Sequence, residues 1–326
     1  MRIVVFGAGA VGSFFGALLV RGGQDVTFIA RGAQLEALRR SGIRIESTLL
    51  GTIEVPHVAV VERAASIDGA DLVLVCVKAH QTTAILDDIA ELAGTRGAVV
   101  TLQNGVESDE PVAARIGRHR VFPGVVYVGA TADRPGMVSH VAAGTIAVGS
   151  RPGGDESRLP AIREALAASG QPVRISTDIQ RDRWRKLIWN AGFNTVSALT
   201  GEDPGALLAF EPTRRLLTAI MREVVAVAKA RGIALDDADV DEQIVWTERA
   251  GAIRTSTTVD RERGREMEID ALVGVVVREG RAAAVPTPCS EAVHALLGAV
   301  ARHEDANGSH DGATGGGGLY RPARRA

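Results

Sequence analysis

The chain has 326 residues, 46% hydrophobic and 23% charged, with a formal net charge of −2 at neutral pH. That composition suffices for the cores of about two domains and excludes a chain disordered throughout; the interspersed charges give no broad basic field, which argues against nucleic acid as a partner. Two cysteines are too few for a disulfide framework, seven histidines show no metal-site spacing so no metal is expected, and no apolar run is long enough to span a membrane.

Residues 3–6, Ile-Val-Val-Phe, form an apolar run suited to a buried strand. No basic leader, long apolar segment and cleavage site stand in secretory order, so a cytoplasmic protein is expected. Gly7, Gly9 and Gly12 then follow in G-x-G-x-x-G spacing ahead of a helical pattern. Gly7 permits a tight turn, Gly9 lets a pyrophosphate approach the backbone, Gly12 lets helix pack on strand, and the helix N-terminus attracts the anion. The run Gly7-Ala8-Gly9-Ala10-Val11-Gly12 is therefore expected to hold a dinucleotide. A second strand over 25–30 ends at Arg31, where an NAD-specific site would place a carboxylate for the ribose. A guanidinium there suits a 2′-phosphate, which makes NADPH/NADP the expected cofactor.

Further along, 34–41 reads as a helix and 43–46 and 52–61 as short alternating segments. Residues 71–77 form a continuous apolar strand ending at Lys78, 82–92 a helix, and 98–102 a buried strand that delivers Gln103-Asn104-Gly105. Ligands in open α/β sheets bind beyond the carboxyl ends of the strands, so Lys78 and Asn104 are both placed to meet one. A β-rich stretch over 121–149, a helix over 158–169 and a strand over 173–176 complete this part. Beyond Asp178 the pattern is helical: 181–199, 213–231, a broken stretch over about 236–280, and 288–303. The expected fold class is α/β, with an N-terminal Rossmann-type nucleotide-binding domain at 1–177 and an all-helical C-terminal domain at 178–303. Residues 304–326, with four consecutive glycines, are expected to form a disordered tail.

Lys186, Asn190 and Asn194 recur at i, i+4 spacing, so they share one helix face amid Trp, Leu, Ile and Phe. Such a stripe is either a seam satisfied by neighbouring helices and water or a ligand-facing surface. Reduction of a ketone requires a proton at the carbonyl oxygen as hydride arrives, and Lys186 can give it, while the amides orient the substrate. Glu266, Glu268 and Asp270 cluster in GREMEID; on a helix alternate residues do not share a face, so at most one or two can enter a cleft. There a glutamate could hold a ribose hydroxyl or the lysine, the alternative being a solvated helix face.

Taken in order, GAGAVG, Arg31, VCVKAHQT around Lys78, LQNGVES around Asn104, RWRKLIWNAGFN and TSTTVDRERGREMEID resemble the ketopantoate reductase family, the NADPH-dependent 2-dehydropantoate 2-reductases. The resemblance covers most of the chain up to the tail. It implies reduction of 2-dehydropantoate to (R)-pantoate in pantothenate biosynthesis, with Lys186 as proton donor, Asn190 and Asn194 as substrate-binding residues and Ser256 at the substrate carboxylate. It further implies Glu268 as a cofactor contact, Asn104 where cofactor and substrate meet, Lys78 lining the cofactor cleft and Ala132 as a backbone contact to the cofactor. Two positions depart from the pattern: Ile253 stands where a substrate-binding asparagine is usual, and a further asparagine is missing near Asp203-Pro204. Apolar replacements alter which side chain a pocket accepts more than they alter the reaction. Another small 2-oxo acid is therefore the alternative substrate, a non-catalytic NADPH-binding regulator is the alternative of another class, and a homodimer is compatible with either.

Overall fold

In the computed structural model, which describes residues 1–250 and 253–308, the first apolar run is β1 (Arg2–Phe6). After it come β2 (Asp25–Ile29), β3 (Ile43–Ser47), β4 (Gly51–Val55), β5 (Ala59–Val61), β6 (Leu72–Val75), β7 (Ala98–Thr101), β8 (Val121–Arg134), β9 (Met137–Val148) and β10 (Val173–Ile175). They form one sheet in the order β4-β3-β9-β8-β7-β6-β1-β2-β5, with β10 paired to β9. From β5 to the start of β8 all neighbours are parallel. Every residue of β6 and β7 is buried, as expected of apolar strands covered on both faces. The carboxyl ends of β1, β2, β6 and β7 thus line up along one edge, and the chain places Gly7, Arg31, Lys78 and Asn104 just beyond them.

The segment expected at 52–61 is two strands at opposite edges of the sheet: β4 pairs with β3, whereas β5 pairs with β2. Pro56, lacking an amide hydrogen, separates them. The β-rich stretch is a long antiparallel hairpin, β8 and β9, whose register shifts at three places and whose turn reaches toward the helical region.

After β10 the described chain is helical. Helix Ile179–Trp189 continues without a break through a π-helical turn, Asn190–Asn194, into Thr195–Thr200. Around it pack Glu211–Ala230, Ser256–Glu262, Val275–Ala282 and Pro288–Gly308, burying Leu187, Phe193, Leu217, Met221, Leu272 and Leu297 in a core separate from those of the sheet. The final helix corrects the expected tail boundary at Glu304. It runs on to Gly308, and Glu304 accepts a hydrogen bond from Arg261 Nε at 2.8 Å. The remainder of the expected tail, 309–326, lies outside the described residues. Among the described residues no helix is long and apolar enough to cross a membrane.

Candidate active site

The glycine turn is shaped by what surrounds each glycine. Gly7 has φ +102°, and a Cβ on it would lie 2.8 Å from the Val77 amide nitrogen; one on Gly12 would lie 2.1 Å from the Gly7 carbonyl oxygen. These two are glycine for steric reasons within the protein. Gly9 differs, since a Cβ there would meet nothing within 4 Å. Open space over Gly9, at the free amide end of helix Ala10–Arg21, is a cradle that a pyrophosphate fits. The Ala8 carbonyl accepts from Ser13 Oγ and from Gln34 Nε2, each at 2.9 Å, and holds the turn in place. Arg31 is exposed immediately after β2.

Beside the turn, charged and polar side chains join the sheet edge to the helical region. Lys78 Nζ lies 2.5 Å from Asp260 Oδ2 and 3.3 Å from Glu268 Oε2. Glu268 also accepts from the Ala79 backbone N–H at 2.9 Å and from Asn104 Nδ2 at 3.3 Å. Burial favours the neutral acid, but Lys78, the Ala79 amide and Asn104 outweigh it and hold Glu268 below the usual carboxylate range. For Lys78 burial pulls downward, and the carboxylates of Glu268 and Asp260 prevail, keeping it above the ordinary lysine value. GREMEID is not helical up to Glu268. Gly264, at φ +61°, ends helix Ser256–Glu262, and the following residues run irregularly. Glu268 turns inward, while Glu266 is exposed beside His80 and Asp270 is exposed beside His294.

Lys186 reaches the same cluster from helix Ile179–Trp189. Its Nζ donates to Asn104 Oδ1 at 2.9 Å and to the Val126 carbonyl at 2.7 Å. Burial lowers its pKa to about 8, against the opposing pull of Glu268. Asn104 is bridged between the two groups, its oxygen facing a donor and its nitrogen facing a carboxylate. Lys78, Glu268, Asn104 and Lys186 therefore form one continuous hydrogen-bonded chain across the cleft. Asn190 and Lys186 line a common cavity of about 10 Å³, roughly the room for one water.

The π-helical turn changes the expected stripe without dispersing it. A wider turn keeps Asn194 near the line of Lys186 and Asn190, and its Nδ2 donates to Ser256 Oγ at 3.3 Å. Its Oδ1 is buried with no hydrogen-bond partner. Ser256 is exposed at the start of its helix. Ile253 is half-buried in the loop before it, and Asp203 caps helix Pro204–Ala209 by accepting from the Gly205 and Ala206 amides. The Ala132 carbonyl already has a partner, Arg263 Nη1, so in this structure it faces the helical region.

With this geometry in place, the comparisons with known proteins bear on the same residues. The family described as Ketopantoate reductase PanE/ApbA matches residues 3–153, and the one described as Ketopantoate reductase PanE/ApbA C terminal matches 178–301. The chain belongs to the ketopantoate reductase family. A 2-dehydropantoate 2-reductase of Mesorhizobium japonicum is 36% identical over 91% of this chain and 97% of its own. A crystal structure of 2-dehydropantoate 2-reductase from Geobacter metallireducens superposes with a TM-score of 0.87 at 34% identity, covering 91% of this chain and 99% of that one. A ketopantoate reductase from Ralstonia eutropha gives 0.86 at 31% identity, covering 94% and 100%. This member of the family is an oxidoreductase acting on CH–OH groups with a nicotinamide cofactor.

In this reductase a cavity beside the side-chain cluster takes in only part of it. With a volume of about 1200 Å³, it touches the cluster at Ala79, Asn104 and Glu268 but includes neither Lys186 nor the glycine turn. The hydrogen-bonded chain between the lysines locates the site better, because it joins groups whose ionisation is perturbed by burial and by one another. Asp260 is the partner that sequence reasoning missed. A compositional signal was available for the lysines: the 37 lysines and arginines include only Lys78, Lys186 and Lys229, and two of these three meet here. Of lysine and arginine, only lysine offers a cation that releases its proton in the accessible range.

Proposed function

We propose that this ketopantoate reductase reduces 2-dehydropantoate to (R)-pantoate with NADPH in pantothenate biosynthesis, with Lys186 as proton donor. The observation that carries the reading is the buried Lys186 ammonium, lowered to about 8 and held by Asn104 and the Val126 carbonyl. A general acid works best when its pKa lies near the working pH. Nicotinamide, when bound, supplies the hydride.

The chain's own residues do the rest. Gly7-Ala8-Gly9-Ala10-Val11-Gly12 receive the pyrophosphate, Arg31 pairs with the 2′-phosphate, and Lys78 with Glu268 lines the cofactor side. Asn104 stands between cofactor and substrate. Ser256 meets the substrate carboxylate, Asn190 orients the oxo acid by a neutral hydrogen bond, and the unpaired Asn194 oxygen accepts from a substrate hydroxyl. Lys186 protonates the carbonyl oxygen as negative charge develops on it. A cytoplasmic homodimer is the assembly proposed with this reading.

Ile253 favours a second reading, a different small 2-oxo acid on the same scaffold, because it puts an apolar side chain in the loop leading to Ser256. NADPH oxidation with ketopantoate beside branched and linear 2-oxo acids separates the two. The expected result is the highest kcat/KM with ketopantoate. A higher value for an acid lacking the hydroxyl would select the second reading, and NADPH binding without turnover of any acid would leave a non-catalytic regulator.

A further inference from the structure

Arg183 lies one turn before Lys186 on the same helix and is buried, as is Asp109 opposite it. All three of its guanidinium nitrogens are engaged by one loop. Nε donates to the Gly105 carbonyl at 3.1 Å, Nη2 to the Ser108 hydroxyl at 3.0 Å, and Nη1 to the Asp109 carboxylate. That loop begins with Asn104, the residue to which Lys186 itself donates. One helix and one loop are thus tied twice, once by a group that transfers no proton and once by a group that can.

Asp109 is fixed from a second direction. Arg151 Nε lies 2.6 Å from its other oxygen, and Arg151 Nη2 donates to the Val106 carbonyl at 2.8 Å. Arg183 also lines the small cavity shared by Asn104, Lys186 and Asn190. A buried guanidinium–carboxylate pair is often no more stabilising than apolar side chains of similar volume. What it adds here is direction, since a planar group bound through three nitrogens sets both distance and angle.

We propose that Arg183, held by Asp109, is a positioning residue that sets the separation and orientation of Lys186 relative to Asn104. The inference rests on Lys186 being the proton donor. Without the strut the loop and helix can slide, water enters the cavity, and Lys186 recovers hydration.

The test uses the fact that Lys78, Lys186 and Lys229 are the only lysines, so carbon-13-labelled lysine gives three side-chain resonances to titrate in the full chain without substrate or cofactor. Two variants are compared with the parent. Arg183→Lys keeps the buried charge but attaches at one point, and its added fourth resonance is told apart by the loss of one signal on a further Lys186→Arg exchange; Arg183→Met with Asp109→Leu removes the pair and keeps three resonances. In both, the Lys186 resonance should titrate at higher pH than in the parent. The kcat should fall on the order of a hundredfold, the scale that a misplacement of about 1 Å produces, while the KM for the oxo acid and the affinity for NADPH change little. An Arg183→Lys chain with the parent's Lys186 titration and kcat overturns the proposal, and so does a loss of NADPH affinity in step with kcat, which would make Arg183 a general domain tie. Displacement of the Lys186 resonance in both variants supports the strut even if no 2-oxo acid is reduced by the parent, in which case the failure lies with the proposed reaction.

Discussion

On the nucleotide side of the cleft the binding surface is backbone: Gly7 and Gly12 are confined by neighbouring main-chain atoms, and Gly9 leaves space for a ligand. Between the sheet edge and the helical region runs a chain of side chains drawn from distant parts of the sequence, Lys78 and Asn104 from the first and Glu268 and Lys186 from the second, with Asp260 beside them. A backbone site needs only the correct local conformation, so its residues are fixed by spacing. The side-chain site depends on tertiary contacts between residues up to 190 positions apart, and each member's ionisation depends on the others. Substitutions should therefore act locally on the first wall and cooperatively on the second.

The largest effect is expected at Lys186. Lys186→Ala should lower kcat on the order of a hundredfold or more with NADPH still bound, since the lost interaction matters chiefly in the transition state. Lys186→Arg should do little better, because a guanidinium keeps its proton. With the Lys186 ammonium as the proposed donor, kcat/KM should decline as pH rises through about 8. Stopped-flow turnover across pH checks all three, and a flat alkaline limb would remove Lys186 as the donor.

Next come the glycines, where the comparison can be sharpened within a single turn. Gly12→Ala forces a Cβ against the Gly7 carbonyl and should lower the melting temperature, costing on the order of 1–3 kcal/mol. Gly9→Ala meets no protein atom within 4 Å and should melt like the parent while binding NADPH more weakly. If both variants melt alike and bind alike, the division between a protein-imposed and a ligand-imposed glycine is wrong.

Arg31→Ala should act more narrowly, raising the KM for NADPH about tenfold, as expected for one lost charge-assisted contact, and leaving NADH nearly unchanged. An equal loss with both cofactors would make Arg31 structural. The smallest effect is expected in the final helix: Glu304→Gln breaks a partly exposed pair with Arg261 and should cost less than about 1 kcal/mol in denaturant unfolding.

The same contrast explains what the sequence made legible. The glycine spacing, the strand ends at Arg31, Lys78 and Asn104, and the polar stripe through Lys186 are local patterns, and the alternation of strand and helix led directly to the α/β class. GREMEID misled because its composition suits a helix, whereas Gly264 stops one and Glu268 is drawn to the Ala79 amide, a contact that no local pattern encodes. Asp260 and the Arg183–Asp109 pair stayed hidden for the same reason: each is one acidic or basic residue among many until the fold supplies its partner. The split of 52–61 between opposite sheet edges falls at Pro56, where the alternating pattern continues but the strand does not.

The widened turn at Asn190–Asn194 sets how this helix tolerates insertion and deletion. It accommodates one residue more than a regular helix of the same length would, between the lysine and the second asparagine. Removing a single residue from that turn should let the helix close into regular geometry with the downstream residues keeping their faces, whereas removing one from the regular turns before it would rotate everything downstream by on the order of 100°. Because Thr195, Val196, Ser197 and Ala198 are all buried, such a rotation would disturb packing on every side, so length is constrained in the regular turns and relaxed at the widened one.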